Sequence, residues 1–379
     1  MRVAMLSCNT GEGHNSAARS IERVLNEHGV ECELLDVLSC VSPGVSKFLC
    51  DWHARLYKYA PKLWDVGYRV VENQEHKLGD KKSVAERFSF GAKKLKAWLD
   101  NGNFDGVISV HVFASMMYTD LQKRGQVDLP CLFVATDYTR YPYIERCAMD
   151  HFMIPAEDLV EEHIQSGIAP EKIVPSGIPV RPEFYERGDK KAAREALGLP
   201  ADRTILLLMG GSMGCGPIAK MAKQLKTRLP EDCTIVAICA KNKKLLEKMT
   251  AISDDRLMPL GFTKEIAQYM EASDMILTKP GGLSCTESAN KRLPMIFINS
   301  VGGCENYNFD FFISRGYAVG SADPEEVLDL AVELAGDPER RAQMSKGLEE
   351  KFTVNSSRLI AEKTLELICK HKQKQEVAV

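Results

Sequence analysis

His14 stands in the run Gly11-Glu12-Gly13-His14-Asn15-Ser16, directly behind the apolar stretch RVAML at residues 2–6. A neutral imidazole takes up a proton near pH 7, so a histidine in such a loop is a candidate general base. The plainer alternative is a histidine that caps the helix after it. The same residues nearly spell a dinucleotide fingerprint, with glycines at 11 and 13 and Asp36 ending the next apolar run. Ser16 replaces the third glycine, so an NAD or FAD domain stands as a rival reading. Two more glycine stretches suit anions. GGSMGCG (210–216) follows an apolar run and lacks the Lys-Ser/Thr pair of a P-loop. TKPGGLSCTES (278–288) places a Pro280-Gly281-Gly282 turn ahead of a helical pattern, with Ser284 or Thr286 able to donate to a phosphate. Glu287, one turn further, can reach a diol, or is an ordinary first-turn acid favoured by the helix dipole. Backbone amides at helix starts attract phosphate, and two such starts with a nearby acid predict a nucleoside diphosphate.

These residues need strand–loop–helix units to hold them. RVAML reads as a buried strand, and Ala17, Ala18, Ile21, Val24 and Leu25 keep helical spacing after it. VECELLDV reads as a second strand, and GVISV (106–110), CLFVAT (131–136) and HFMIP (151–155) as further ones. PSGIPVRPEF (175–184), with three prolines and no period, reads as a linker. TILLLM, TIVAIC (234–239), DMILT (274–278) and MIFIN (295–299) then repeat the pattern. The prediction is an α/β chain of two doubly wound domains in tandem, divided at residues 1–178 and 179–355, with a terminal helix in 356–379 that returns towards the first domain.

At 379 residues the chain is long enough for two domains, and a net charge of −3 argues against bulk attraction to nucleic acid. The 12 cysteines show no C-x-x-C pair or metal spacing, which predicts reduced core thiols. The start is too short for a signal peptide, and no apolar run is long enough to span a bilayer, so any membrane role is peripheral. From Lys47 to Trp98 the character changes: 12 basic residues face 6 acidic ones, with Trp52, Tyr57 and Trp64 among them. Basic residues mixed with aromatics suit anionic headgroups, or else are helices with an aromatic core face.

The chain resembles the diacylglycerol glycosyltransferases, the monogalactosyldiacylglycerol synthase and processive glucosyltransferase type of glycosyltransferase family 28. The resemblance runs through GEGHNSAA (11–18), ISVH (108–111), ATDY (135–138), SGIPVRPEF (176–184), KPGGLSCTES (279–288) and GGCENYN (302–308). It implies the GT-B fold, two Rossmann-like domains facing a central cleft. It implies His14 as catalytic base, Glu287 on the ribose hydroxyls, the Phe262 backbone at uracil, and Gly281, Gly282, Leu283 and Ser284 at the diphosphate. Glu305 and Asn306 then lie at the donor hexose, and Gly13, Gly211, Ser212 and Met213 complete the donor set. Asp137, by its strand-end position, is expected to orient His14, with His111, Trp52, Tyr57 and Trp64 on the acceptor and membrane side. Tyr141-Pro142 and His111-Val112 stand where the plant-type galactosyltransferases carry histidine-proline pairs.

The expected activity is inverting transfer of glucose or galactose from a UDP-sugar to diacylglycerol, with no metal or other cofactor. The expected partners are UDP-hexose, diacylglycerol and an anionic membrane surface, at the inner face of the cell membrane. A UDP-N-acetylglucosamine-dependent transferase on another lipid and a non-catalytic UDP-sugar sensor are the alternatives.

Overall fold

Short apolar strands alternate with helices along the chain, and the computed structural model arranges them in two sheets of parallel strands. It describes residues 1–9, 12–42, 44, 91–211, 218–298 and 302–377. The chain divides into one compact unit of Met1–Arg181 with Val354–Val379, and a second of Pro182–Thr353.

The first unit runs β1 (Arg2–Ser7), α1 (Glu12–Glu27), β2 (Glu31–Asp36), α2 (Val37–Val41), α3 (Ala92–Gly102), β3 (Gly106–Ser109), α4 (Val112–Lys123), β4 (Cys131–Val134), β5 (His151–Ile154), α5 (Val160–Gln165) and β6 (Ile173–Pro175). Its strand order is β2-β1-β3-β4-β5-β6. Strand side chains alternate between faces. Val3 and Met5 accordingly join Ile21 and Leu25 of α1, while Ala4 and Leu6 join Leu95 of α3 and Tyr118 of α4. Burial on both faces explains why the central strands are uniformly apolar. Helix α1 buries Ala17, Ala18, Ile21, Val24 and Leu25. It stops at Gly29, whose φ of 71° lets the Val30 amide turn back to the Leu25 carbonyl.

The second unit runs α6 (Lys190–Leu197), β7 (Thr204–Met209), α7 (Ile218–Arg228), β8 (Cys233–Ile238), α8 (Lys243–Thr250), β9 (Leu257–Leu260), α9 (Ile266–Ala272), β10 (Met275–Thr278), α10 (Gly282–Asn290), β11 (Met295–Ile298), α11 (Cys304–Ser314), β12 (Ala318–Ser321), α12 (Pro324–Gly336) and α13 (Pro338–Lys351). Its order is β12-β11-β10-β7-β8-β9. Leu206 and Leu208 share a core with Ile218 of α7 and Leu328 of α12.

Helix α14 (Ser356–Val377) belongs to the first unit, where Ile360, Ala361 and Ile368 complete the core around Val3, Met5 and Ile108. A Cβ on Gly106 of β3 would lie 2.9 Å from the Ile368 side chain, so this glycine lets the helix approach the sheet.

Three features differ from the sequence expectation. Strands β6, β9 and β12 were not anticipated. The stretch 175–184 holds the boundary between the two units, as the linker reading expects, but it is packed rather than open: Ile178, Val180 and Phe184 are fully buried, and the Val180 carbonyl accepts from the Ser357 hydroxyl at 2.9 Å. Trp98, taken with the basic segment, packs against Phe104 and donates its indole N–H to Glu33 at 2.9 Å. Trp52, Tyr57 and Trp64 lie outside the described residues. Cys8, Cys40, Cys131, Cys147, Cys233, Cys239 and Cys285 are buried free thiols; burial pushes Cys131 and Cys147 up to about 12, out of reach of thiolate chemistry.

Candidate active site

A doubly wound sheet binds ligands beyond the carboxyl ends of its strands, where the winding reverses. In the first unit the chain goes from β1 outward to β2 and then returns to β3 on the other side of β1. The reversal lies between β1 and β3. The first turn of α1, which follows β1, carries His14, and the loop after β3 carries His111. Their rings meet edge to face with centroids 4.7 Å apart.

Two hydrogen-bond contacts at one ring nitrogen fix His14. Its Nδ1 lies 2.9 Å from the Val110 carbonyl and 3.0 Å from the Thr136 hydroxyl. A carbonyl can only accept, so Nδ1 carries the proton and Nε2 presents a bare lone pair. Among the described residues nothing pairs with that nitrogen. Burial, the largest influence, lowers the His14 pKa below its ordinary 6.5, against opposing pulls from Asp137 and the Val110 carbonyl. The imidazole is therefore neutral at pH 7, in the protonation state a base needs.

His111 serves a different local purpose. It caps α4, its Nδ1 accepting the Phe113 amide at 3.1 Å. With Nδ1 accepting, its proton sits on Nε2, so it is a donor where His14 is an acceptor.

The turn into α1 is stitched to the sheet. The Ser7 hydroxyl donates to Asn15 at 2.8 Å, Asn15 donates to Asn9 at 2.7 Å, and Asn9 donates to Asp36 at 3.1 Å. Asp36 also accepts from the Leu38 amide and caps α2. Both its carboxylate oxygens hold the fold, which weighs against a ribose-binding role in the rival dinucleotide reading.

Asp137 follows β4. Its carboxylate accepts from the Tyr141 hydroxyl at 2.7 Å, and Tyr141 lies 2.9 Å from the Thr136 hydroxyl that meets His14. Neither Thr136 nor Tyr141 carries a role in the sequence reading: Tyr141 enters there only as a departure from the plant-type histidine-proline pair, and Thr136 only within the ATDY run, its place just past a strand end being the available signal.

In the second unit the winding reverses between β7 and β10. The two glycine stretches follow those two strands. Gly211 has a φ of 73°, while Ser212 and Met213 lie outside the described residues. Gly281 precedes α10 without a side-chain cap, which leaves the first-turn amides to other partners. Leu283, Ser284 and Glu287 are half-buried, while Cys285, Thr286 and Ser288 are buried. Residues three and four apart share a helix face, so Ser284 and Glu287 lie one turn apart on the open side. Thr286, the alternative donor, sends its hydroxyl proton to the Gly282 carbonyl at 2.8 Å.

Helix α11 starts from the end of β11 through Gly302 and Gly303, with φ of 95° and 63°. Gly303 has a ψ of −135°, a combination that only glycine adopts readily. That turn sets half-buried Glu305 and Asn306 in the first turn of the helix. Asn308, which ends the GGCENYN run and has no role in the sequence reading, is fully buried and donates to the Pro280 carbonyl at 2.9 Å, tying α11 to the glycine turn before α10. Phe262 follows β9 and is 63% exposed, the Lys241 ammonium 5.8 Å from its ring. Gly211, Phe262, the α10 start and the α11 start all follow strands of one parallel sheet, so they share its carboxyl edge.

Two parallel-sheet Rossmann-like units in tandem define the fold, the GT-B fold. MurG of Acinetobacter baumannii superposes with a TM-score of 0.66 at 15% identity, covering 96% of this chain and 99% of that one. The glycosyltransferase VinC, solved with dTDP, gives 0.60 at 15% identity, covering 98% of this chain and 100% of its own. Residues 14–180 match the family model of monogalactosyldiacylglycerol (MGDG) synthase, and residues 205–359 that of the glycosyltransferase family 28 C-terminal domain. The processive diacylglycerol beta-glucosyltransferase of Bacillus subtilis (strain 168) is 26% identical over 373 residues, 96% of this chain and 94% of that protein. The chain thus joins an MGDG-synthase domain to a glycosyltransferase family 28 C-terminal domain, and it is an enzyme, a hexosyltransferase.

Proposed function

We propose that this enzyme moves a hexose, glucose or galactose, from UDP to the hydroxyl of 1,2-diacylglycerol with inversion, forming a β-glycolipid. The observation that carries the reading is the neutral His14 with its unprotonated Nε2 at the reversal of the first sheet. The Bacillus relative, a processive diacylglycerol beta-glucosyltransferase, supports diacylglycerol as acceptor and a β linkage.

In this reading the second unit holds the UDP-sugar. Glu287 takes the ribose hydroxyls, the Gly281–Ser284 helix start and the Gly211 loop take the diphosphate, and Glu305 and Asn306 take the hexose. The acceptor oxygen attacks the anomeric carbon as His14 Nε2 removes its proton. The bond from that carbon to the diphosphate oxygen breaks, and the electron pair leaves with UDP. Charge grows on the diphosphate, so donors already aimed at it favour the transition state over the ground state. This scheme calls for no resident metal or organic cofactor, and transfer is expected to persist in EDTA. It places the enzyme peripherally at the inner face of the cell membrane. Among the described residues no helix is long and apolar enough to cross a bilayer.

The test is a product assay with UDP-glucose, UDP-galactose and UDP-N-acetylglucosamine on diacylglycerol vesicles, comparing wild type with His14→Ala. Glycolipid from a UDP-hexose, lost in His14→Ala by at least about a hundredfold, is the expected result. Full activity in the variant removes the base, and no glycolipid from any donor removes the function.

A further inference from the structure

The route from Asp137 to His14 is longer than the strand-end position suggested, and every proton along it can be placed. The Val110 carbonyl fixes the proton of His14 on Nδ1. Thr136 Oγ1, 3.0 Å away, then has to accept from that Nδ1–H, because the nitrogen has no lone pair to offer. Thr136 must send its own proton elsewhere, and the Tyr141 oxygen lies 2.9 Å from it. Tyr141 in turn gives its proton to the Asp137 carboxylate at 2.7 Å, the shortest of the three links. Each group accepts on one side and donates on the other, and the run ends on an anion.

The scaffold holds this order. Thr136 is 3% exposed, and its backbone amide also donates to the Tyr141 oxygen at 3.3 Å. Tyr141 is half-buried, its ring set edge-on against Phe133 of β4 with centroids 5.8 Å apart.

We propose that Thr136 and Tyr141 are positioning residues that carry the Asp137 charge to His14 through this one-directional run of hydrogen bonds. The inference rests on His14 being the base. When Nε2 takes the acceptor's proton, the ring becomes an imidazolium and Nδ1–H becomes a stronger donor. Thr136 strengthens as acceptor, Tyr141 is drawn further towards Asp137, and the new positive charge is met by a fixed negative one. No proton crosses the run; each stays on its own atom while the bonds shorten. Chains of this kind polarise one another, more so away from water. Among the described residues, the ionisable groups facing the ring are Asp137 and Tyr141 from the loop after β4 and His111 from the loop after β3.

The test uses the full-length enzyme with whichever UDP-hexose the product assay returns and diacylglycerol vesicles. Thr136→Val, Tyr141→Phe and Asp137→Asn each interrupt the run without changing its shape much, whereas Thr136→Ser keeps the hydroxyl. The expected result is a fall in kcat of about ten- to a hundredfold for the three interruptions, with the donor KM within about twofold. The acid limb of kcat/KM should move to lower pH, because an imidazolium that has lost its counter-charge releases its proton more readily. Thr136→Ser should restore both. The unchanged donor KM reports that the variants are folded, and Asp137→Asn stands in if Tyr141→Phe does not fold.

If the three variants keep wild-type kcat and acid limb while His14→Ala is inactive, the relay is wrong and the base stands. If kcat falls but the acid limb stays and Thr136→Ser gives no rescue, the residues only support the fold and the proposal is overturned. If His14→Ala remains active, the base reading fails and takes the relay with it.

Discussion

At the scale of single residues, neighbours select one protonation state from those a histidine can adopt. His14 and His111 touch, yet a carbonyl on Nδ1 makes the first an acceptor at Nε2 and an amide on Nδ1 makes the second a donor. The pH dependence follows. Burial disfavours the charged imidazolium, so the free base survives to lower pH than in an exposed histidine. Activity should be full above the ordinary value of 6.5 and fall only as pH drops through the lowered pKa. A kcat/KM profile whose acid limb lies at or above that value contradicts the assignment. Glu287 carries a second prediction. If its carboxylate binds the ribose diol, Glu287→Ala loses a charge-assisted hydrogen bond of about 1.5–3 kcal/mol, tenfold or more in donor KM. Calorimetric titration with UDP reads this directly, and unchanged affinity would leave Glu287, in the second turn of α10, as an ordinary half-exposed helix acid. His14 and Glu287 were both legible because each follows a strand–glycine pattern. Thr136, Tyr141 and Asn308 were not, because polar residues at strand ends and in helices are common and only a partner across space gives these three a role.

The elements show the same divide. The central strands announce themselves, since burial on both faces demands unbroken apolar runs such as ILLLM in β7. The three strands not anticipated, β6, β9 and β12, all lie at sheet edges. An edge strand is covered less completely, and each of these has a single buried residue with two or three half-buried ones. Pro259 in β9 and Pro175 in β6 fit that position, because an edge tolerates a residue without an amide proton. Helix α14 had a readable pattern, while its place under β1 and β3 comes from tertiary packing. Ile368 is 1% exposed there, and Ile368→Ala should cost about 2–4 kcal/mol in chemical denaturation. A loss below about 1 kcal/mol would mean that the helix contributes little to the first unit. Gly106→Val should be destabilising for the complementary reason, since a Cβ already meets Ile368 at 2.9 Å.

For the whole molecule, the charge distribution is uneven: the chain carries a net −3, yet residues 47–98 have twice as many basic as acidic residues. That segment, most of which lies outside the described residues, should direct binding to anionic lipid. Co-sedimentation with vesicles containing phosphatidylglycerol is expected to exceed that with phosphatidylcholine alone and to weaken as salt rises from about 0.05 to 0.5 M. Binding indifferent to salt or to lipid charge would assign the segment to the protein interior. What the amino-acid order determined by itself was the alternation of strand, glycine turn and helix, because apolar periodicity and glycine placement are local properties. It also placed His14 in the first turn of its helix and Glu287 one turn further into its own, for the same reason. Strand order was a tertiary decision, since a parallel strand can join its sheet on either side of its neighbour. That order sets where the winding reverses, and so which loops meet. Only there do Val110, Thr136 and His111, roughly a hundred residues from His14 in the chain, converge on its ring and select the nitrogen left bare.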